Sequence, residues 1–154
     1  MRHTRGVDVR DLLPEESDAA VALWRQCDLT RPWNDPVADL ARALTNPTST
    51  VLVAQDGDDL VGTAMVGYDG HRGWVYYVAV SPHRRREGIG RLLMERCERW
   101  LGDRGVPKVQ LMVRQGNTAA AFYRSLGYAD QQTVALGRFL DPELEQLRRA
   151  GSGG

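Results

Sequence analysis

The chain has 154 residues, with 20 acidic and 20 basic side chains and a net charge of zero at pH 7. A chain of this length can bury a fair core, so we expect a single domain over residues 1–154 with its core at about 7–140. A neutral chain has no general attraction for nucleic acid or an anionic membrane, and no apolar run reaches the length of about 18 residues that spans a bilayer. We therefore expect no nucleic-acid partner, no membrane partner and a cytoplasmic location.

The predicted elements begin with a short strand at 7–12. A proline followed by acidic residues then indicates a helix over 14–27. A second helix starts at Val37 and ends before the Asn-Pro pair at 46–47. Three strands joined by two turns are predicted next, at 50–54, 60–67 and 74–80, and the last is an apolar run typical of a buried strand.

The second half of the chain alternates between helices and strands. The predicted elements are a helix at 90–104, a strand at 106–113, a helix at 117–126, a strand at 132–140, and a short helix at 141–150 before a flexible tail that ends at 154. The order is β-α-α-β-β-β-α-β-α-β. It predicts an α/β (α+β) fold with a mixed, mostly antiparallel central sheet flanked by helices on both faces. The strands at 75–80 and 109–113 would be parallel neighbours, joined by a right-handed crossover.

The two cysteines do not form a disulfide framework or a metal-ligand pattern. Cys97 lies in a stripe of apolar residues at helical spacing, and Cys27 ends a similar stripe. A small buried core residue is the first interpretation of each, and a catalytic thiol is a minor alternative. We expect no metal ion.

A basic, glycine-bearing loop follows the strand that ends at Val80 and leads into the helix that begins at Gly90. Backbone N–H groups at a helix start have no intrahelical partner and lie at its positive end, which suits a phosphate or pyrophosphate. Gly88 and Gly90 allow close approach of a ligand and a positive φ. An ordinary strand-to-helix turn with solvated arginines is the plain alternative. A dinucleotide fingerprint is a third interpretation, but Leu93 occupies its third glycine position.

A second motif follows the strand predicted at 106–113. Asn117 is a suitable N-cap for the next helix, whose apolar stripe includes Phe122 and Leu126. Tyr123 lies beside that stripe, with a ring that can be buried and a hydroxyl that can reach a cleft. Taken alone, Tyr123 is most simply explained as an aromatic residue at the rim of the core.

Together the two motifs resemble the GNAT (Gcn5-related N-acetyltransferase) superfamily. The first is Arg85-x-x-Gly88-x-Gly90 after a strand ending Val-Ala-Val-x-Pro, and the second is Asn117 before a helix with Phe122-Tyr123-x-x-Leu126-Gly127-Tyr128. The likeness covers nearly the whole chain, from Val7 to about Leu140. The segments at 27–36 and 67–77 further resemble the YpeA-type bacterial branch of that family.

The resemblance implies a GNAT-like fold with acetyl-CoA as co-substrate. The backbone of Val78, Ala79 and Val80 would pair with the pantetheine arm, and one of its N–H groups would polarise the acetyl carbonyl. Asn117 would contact the pantetheine or acetyl end, and Tyr123 would be the general acid for the departing CoA thiolate. The pyrophosphate would be held by Arg85, Arg86, Glu87, Gly88, Ile89, Gly90 and Arg91.

Two features depart from the family pattern. In the loop, Arg86 stands where glycine is common, so its backbone must keep a negative φ or accept strain. Glu87 replaces a common basic residue, and we expect its carboxylate to face solvent. Many members also carry a glutamate near the end of the strand before Val78. Tyr76 and Tyr77 stand there in this chain, so the strand supplies no carboxylate base.

The loop at 28–36 is where we expect the acceptor to bind. The predicted acceptor-binding residues are Arg31, Trp33, Asn34, Asp35 and Tyr76. Arg31 could pair with an acceptor carboxylate, and Trp33 could form a wall of the pocket. The candidate bases are Asp35, Asp69 and His71. Each is equally explained as a turn-forming residue or, for Asp35, as a helix cap.

Because the strand supplies no carboxylate and each candidate base has another explanation, we favour an acceptor amine of low pKa. Deprotonating an amine with a pKa of about 10.4 costs about 4.6 kcal/mol at pH 7, whereas an α-amine near 7.8 costs about 1 kcal/mol. The leading hypothesis is an acetyl-CoA-dependent N-acetyltransferase, monomeric or homodimeric, that acts on a primary amine of a small metabolite, amino-acid-like compound or peptide. The acceptor attacks directly in a ternary complex.

Two further functions compete with this hypothesis. A non-catalytic acyl-CoA-binding sensor or interaction module is the alternative, and the missing strand carboxylate motivates it. Nucleic-acid binding through Arg84–Arg86 is disfavoured, because one arginine triplet on a neutral domain makes too few phosphate contacts.

Overall fold

The computed structural model describes residues 4–151, which form two compact units. The larger unit contains residues 4–30 and 35–111, and the smaller contains residues 31–34 and 112–151. The flexible tail was predicted at 151–154; Gly151 is instead the last residue of the final helix, and residues 152–154 lie outside the described residues. No helix between residues 4 and 151 has the length and apolar character needed to cross a bilayer.

The larger unit is built on one sheet of five strands. They are β1 (Val7–Asp11), β2 (Ser49–Asp56), β3 (Asp59–Tyr68), β4 (Gly73–Val80) and β5 (Val109–Gln110). The spatial order is β1-β2-β3-β4-β5, with the first four strands antiparallel and β5 parallel to β4. Short turns join β2 to β3 and β3 to β4, whereas α1 and α2 connect β1 to β2 and α3 connects β4 to β5.

The described helices are α1 (Ser17–Gln26), α2 (Pro36–Thr45), α3 (Ile89–Gly102), α4 (Ala119–Ser125) and α5 (Pro142–Gly151). Short 3-10 turns at Pro14–Glu16 and Pro82–Arg84 lead into α1 and towards α3. A mixed, mostly antiparallel sheet with α3 as the crossover between β4 and β5 confirms the predicted fold class.

The helices of the larger unit cover both faces of the sheet, as two adjacent residues of β3 demonstrate. Thr63 accepts a hydrogen bond from the indole of Trp24 in α1, whereas Gly62 packs against Leu93 in α3. Successive side chains of a strand point to opposite faces, so α1 and α3 lie on opposite sides. The core on the α1 side centres on Trp24, which is fully buried with Leu40 of α2.

Two glycines let α3 lie close to the sheet. A Cβ on Gly62 would be 2.9 Å from Leu93 Cδ1 and 3.2 Å from Ile89 Cγ2, near the start of the helix. A Cβ on Gly73 would be 2.6 Å from Leu101 Cδ1, near its end. The distances of 2.9 Å and 2.6 Å are shorter than non-bonded carbons tolerate. The helix is therefore held against β3 at one end and against β4 at the other.

The strand predicted at 132–140 is not formed. Val134, Leu136 and Leu140 are 83%, 93% and 94% exposed, and residues 133–139 have no regular secondary structure. Apolar residues such as Val134 and Leu136 are compatible with a strand, but a strand also requires a neighbour for its backbone hydrogen bonds. The smaller unit has no strand among its described residues. The strand predicted at 106–113 is likewise reduced to Val109–Gln110.

Candidate active site

The loop between β4 and α3 has the predicted context of a strand, a tight loop and a helix start. Gly88 is the N-cap of α3 with φ +90, and no side chain caps the helix there. The N–H groups of Ile89, Gly90 and Arg91 precede the first intrahelical hydrogen bond, which Leu92 donates to the Gly88 carbonyl. These amides lie at the positive end of a helix of 14 residues. An anionic ligand group fits this position.

Arg86 adopts a positive φ of +65 in the same loop. The left-handed conformation costs a residue with a side chain roughly 1–2 kcal/mol relative to the right-handed one. Of the two alternatives foreseen for this position, backbone strain is the one observed. The loop thus keeps the backbone shape that glycine would allow, at an energetic cost that the arginine side chain imposes.

Arg84, in the 3-10 turn at the start of this loop, forms an ion-pair cluster that we call the Arg84 clamp. Its Nε lies 3.0 Å from both carboxylate oxygens of Glu87, and its Nη2 lies 2.9 Å from Asp56 Oδ2 at the end of β2. The Glu87 side chain is only 20% exposed. The expectation that Glu87 faces solvent is therefore wrong, because the carboxylate is held and neutralised by Arg84. These bonds raise the pKa of Arg84, with Glu87 the larger cause.

The remaining arginines of the loop keep their charge for other partners. Arg85 and Arg86 are exposed and Arg91 is half-buried. Among residues 4–151, none of the three forms an ion pair. Three cationic side chains therefore lie around the helix start, while the one carboxylate of the loop is already neutralised.

The strand β4 has an open edge on the side of β5. β5 pairs with β4 only at Gly73 and Trp74, so the stretch from Val75 to Val80 has no strand on that side among the described residues. An open edge presents backbone N–H and C=O groups that can bind an extended ligand as an added strand. This edge runs directly into the loop before α3.

A β-bulge interrupts β4 in the middle of that open stretch. Thr63 pairs with Ala79 and Met65 pairs with Tyr76, so Ala64 alone faces the two residues Tyr77 and Val78. Tyr77 has φ +52. A bulge leaves an extra residue outside the ladder and reorients the backbone groups around it.

The carboxylates of Asp35 and of Asp69, in the turn at 68–73, accept hydrogen bonds from backbone N–H groups. Asp35 Oδ1 accepts from the N–H groups of Val37 and Ala38, each at 3.1 Å, and so caps α2. Asp69 accepts from the N–H groups of Arg72 and His71 and from the Trp74 indole, and the first two bonds are the main cause of its lowered pKa.

Tyr76 lies in β4 next to the bulge, whereas His71 lies in the turn before the strand. Tyr76 is 43% exposed, and its pKa is raised by burial and then by the charge of Asp69. His71 is exposed and lies six residues before Tyr77, the first residue of the bulge. The four steps from Gly73 to Tyr77 alone span about 13 Å at about 3.3 Å per residue.

Sequence reasoning missed Asp39, which supplies a carboxylate to β4 from outside the strand. Its Oδ2 accepts a hydrogen bond of 2.8 Å from the Tyr77 hydroxyl. Nothing in the pattern of α2 distinguishes this aspartate from a solvated helix residue. Thr63 was also missed, although a threonine within the apolar strand β3 was a usable signal, since a buried hydroxyl requires partners.

The smaller unit contains the second sequence motif. Asn117 Oδ1 accepts from the Ala119 N–H at 2.8 Å, which supports the start of α4 from one residue before its N-cap. The Tyr123 ring meets Phe122 and Tyr128 edge to face, at centroid distances of 5.0 and 6.0 Å. The motif therefore forms a short helix with an aromatic cluster at its end.

Trp33 and Arg31 also belong to the smaller unit. The Arg31 carbonyl accepts from the Asn34 N–H at 3.0 Å, which closes a turn around Trp33. A Cβ on Gly151 would lie 2.7 Å from Cζ3 of Trp33, so this ring packs against the last turn of α5. The Arg114 guanidinium lies 6.0 Å from the ring centroid.

The model of the acetyltransferase (GNAT) family matches residues 15–128, about three quarters of the chain. The chain belongs to the GNAT acetyltransferase family. The acetyltransferase ECA0875 of Pectobacterium atrosepticum is 41% identical over 140 residues, which cover 90% of this chain and 99% of that protein. The predicted family is therefore confirmed, and this chain is an acetyltransferase with acetyl-CoA as its donor.

Solved GNAT structures share the fold at low identity. The aminoglycoside N-acetyltransferase AAC(6')-Iy, bound to the bisubstrate analogue CoA-S-monomethyl-acetylneamine, has a TM-score of 0.74 at 18% identity. That match covers 86% of this chain and 97% of that one. An aminoglycoside acetyltransferase from an uncultured soil sample, in complex with trehalose, has a TM-score of 0.73 at 20% identity, with 89% and 98% covered.

No group of three or more metal-ligating side chains could hold a metal ion among residues 4–151. The larger unit combines a helix start without a side-chain cap, cationic side chains and an open strand edge. These features fit the pyrophosphate and the extended arm of acetyl-CoA.

Proposed function

We propose that this GNAT enzyme transfers the acetyl group of acetyl-CoA to a primary amine of a small metabolite, an amino-acid-like compound or a peptide. The acceptor amine attacks the thioester directly in a ternary complex. The observation that carries the proposal is the continuity of two features. The open edge of β4 ends in the loop whose Gly88 starts α3, so one continuous surface serves an extended arm and its anionic end.

Donor binding is assigned to the backbone of the larger unit. Val78, Ala79 and Val80 pair with the pantetheine arm along the open edge, and the amides from Arg85 to Arg91 hold the pyrophosphate. The uncapped helix start and the side chains of Arg85, Arg86 and Arg91 support this assignment. Neutralisation of Glu87 by Arg84 removes the one local charge that would oppose a phosphate.

Two residues of the smaller unit are proposed to act on the donor. Asn117 contacts the pantetheine or acetyl end, and Tyr123 donates a proton to the CoA thiolate as the C–S bond breaks. A thiol with a pKa near 8.5 leaves more easily when a proton arrives with bond cleavage. Positioned proton donors typically contribute about 10²–10⁴-fold in rate. The motif match to the family supports both roles.

Acceptor binding is assigned to Arg31, Trp33, Asn34, Asp35 and Tyr76, with Asp35 or His71 as the base. Asp35 already holds two backbone N–H groups through Oδ1, which leaves Oδ2 for an acceptor amine. An amine of low pKa reduces the demand on any base. The segments that resemble the YpeA-type branch support placing the chain in that branch. Metal-independent catalysis, cytoplasmic residence and a monomeric or homodimeric state stay predictions.

Turnover with a panel of amines tests the proposed function. The panel contains α-amino acids, lysine peptides, polyamines and aminoglycosides, and release of the CoA thiol is followed with a chromogenic thiol reagent. We expect one class to raise thiol release above the rate with acetyl-CoA alone. The Gly90→Val variant should abolish this activity, because its side chain would hold a phosphate away from the amides.

A non-catalytic acyl-CoA sensor is the competing outcome. Such a protein would bind acetyl-CoA in calorimetry and release no thiol with any amine of the panel. A wild-type protein that binds neither CoA nor acetyl-CoA would refute both functions.

A further inference from the structure

Tyr77 is held by three separate contacts, all within the larger unit. Its ring stacks on Trp24 of α1 with the centroids 3.9 Å apart and the planes 11° from parallel. Its carbonyl accepts from Thr63 Oγ1 at 3.1 Å, and its hydroxyl donates to Asp39 Oδ2 at 2.8 Å. The ring, the backbone and the hydroxyl of one residue are therefore fixed by α1, β3 and α2 respectively.

Thr63 joins two of these contacts. It is fully buried, and its hydroxyl accepts from the Trp24 indole at 2.8 Å while it donates to the Tyr77 carbonyl. One hydroxyl thereby supplies both a donor and an acceptor, which satisfies two buried polar groups. We call Trp24, Thr63, Asp39 and their contacts with Tyr77 the bulge brace.

The brace holds Tyr77 in a left-handed backbone conformation that is unfavourable for tyrosine. A tyrosine with φ +52 is disfavoured relative to extended backbone, and β-strands are extended. If Tyr77 returned to the extended region, the bulge would be lost. Val78 to Val80 would then slip by one residue against β3, which exchanges the groups on the two edges of the strand.

We propose that Thr63 and Asp39 are positioning residues for acetyl transfer, because through Tyr77 they hold the β4 bulge that aims the strand's backbone at the thioester carbonyl. The inference rests on the proposed function, since it assumes that the acyl arm lies along the open edge of β4. Neither residue is proposed to touch the acetyl group. Their effect is to keep the register of Val78–Val80 that the acyl group requires.

The first experiment removes the hydroxyl of Tyr77 or of Thr63 and keeps the size of the side chain. Tyr77→Phe deletes the hydroxyl and keeps the ring stack, and Thr63→Val deletes the hydroxyl and keeps the shape. We expect kcat to fall about tenfold in each. That loss is smaller than the 10²–10³-fold loss that follows removal of an oxyanion donor, because the backbone donor is displaced and not deleted. The dissociation constant of CoA, measured by calorimetry, should change less than twofold.

Three further variants separate positioning from general stability. Thr63→Ser keeps the hydroxyl and should restore most of the rate that Thr63→Val loses. Arg42→Ala removes the other partner of Asp39, an exposed arginine, and should leave kcat unchanged. Asp39→Ala combined with Tyr77→Phe should be no slower than either single variant, because the two changes break the same bond.

The second experiment needs no acceptor. The carbonyl stretch of bound [1-¹³C]acetyl-CoA, recorded by infrared difference spectroscopy, reports how strongly the backbone polarises the thioester. We expect the band to move to higher wavenumber and to broaden in Tyr77→Phe and Thr63→Val, and to stay in place in Thr63→Ser and Arg42→Ala.

The outcomes distinguish this inference from the proposed function. If the wild type binds acetyl-CoA and the band is identical in wild type, Tyr77→Phe and Thr63→Val, the brace has no positioning role. Variants that lose stability to urea while keeping the wild-type band would likewise refute it and leave acetyl transfer intact. If the wild type fails to bind acetyl-CoA, the proposed function fails and this inference fails with it.

Discussion

Gly88 meets two requirements at one residue. It adopts a left-handed backbone conformation, and it has no side chain to obstruct a ligand that approaches the amides of α3. Its φ of +90 is one that residues with a side chain rarely adopt. The sequence predicted both requirements, because glycine at a strand-to-helix junction beside arginines is typical of a backbone that an anion approaches closely. Arg86, two residues earlier, also has a positive φ, and no sequence rule distinguishes an arginine that adopts one.

Replacing Gly88 by alanine should weaken CoA binding at least about tenfold, or about 1.4 kcal/mol, since the new Cβ strains the loop and crowds the amides. Calorimetry with CoA measures the effect. Gly105→Ala is the matched control, because Gly105 also has a positive φ, +75, and open space around it. Both variants should lose about 1 kcal/mol of stability from the backbone alone. Equal CoA affinities in the two would contradict the assignment of the loop.

Replacing Tyr123 by phenylalanine should lower kcat at least about tenfold, because it deletes the proposed proton donor and keeps the ring. Steady-state rates with the best amine of the panel measure the effect, and CoA affinity should change little. Tyr128→Phe is the control, since Tyr128 packs edge to face against Tyr123 in the same aromatic cluster. A Tyr123→Phe enzyme with wild-type kcat, where chemistry limits the rate, would assign the proton to another source.

Among elements, the loop before α3 is shaped as much by a neighbouring turn as by its own residues. The Arg84 clamp ties it to Asp56 where β2 ends, next to the turn into β3. Sequence alone could not show this, because Asp56 and Arg84 are 28 residues apart. The meander of β2, β3 and β4 was predictable, since each connection is a local turn with its own glycine signal.

Replacing Arg84 by glutamine should weaken acetyl-CoA binding several-fold. The change releases the Glu87 carboxylate beside the site that we assign to the pyrophosphate. The double variant Arg84→Gln with Glu87→Gln should recover much of the affinity, because the released charge is then absent. Calorimetry at low and at moderate salt measures both, and the defect of the single variant should shrink as salt rises. A double variant weaker than the single would contradict this role for the clamp.

The segment at 132–140 is where sequence and structure disagree most. The sequence analysis predicted a strand here, whereas the apolar side chains are exposed and the residues are irregular. A pattern of alternating residues contains information about which face is apolar and none about which strand is the partner.

Backbone amides at 133–139 should therefore exchange with deuterium within seconds at neutral pH, while those of β2 and β3 exchange far more slowly. Hydrogen exchange followed by mass spectrometry of peptides from the two regions measures this. Slow exchange at 133–139 in the isolated protein would show that the segment is a paired strand, as its sequence pattern predicts.

For the whole molecule, one ion pair links three elements and contributes to the response to acid. Arg10 of β1 donates two hydrogen bonds of 2.8 Å to the Glu16 carboxylate at the start of α1, and its Nε donates to Gln55 of β2. The bond from Arg10 is the main reason that the pKa of Glu16 falls to about 2.

A carboxyl whose pKa is lowered on folding stabilises the protein above its unfolded pKa, near 4.5, and loses that contribution as the pH falls towards 2. Replacing Glu16 by glutamine should therefore destabilise the protein by about 1 kcal/mol at pH 7, after allowance for solvent screening, and by much less near pH 2. Urea unfolding of both proteins at the two pH values measures this. A difference that stays constant with pH would mean that Glu16 acts through packing and not through its charge.

The two glycines that contact α3 hold the helix at different distances from its first turn. The contact at Gly62 involves Ile89 and Leu93, within a few ångströms of the helix start, whereas the contact at Gly73 involves Leu101, about 12 Å further along. A disturbance at the far end therefore pivots the helix about Gly62 and barely displaces its first turn. A disturbance at Gly62 displaces the start of the helix, and the amides of the first turn move with it.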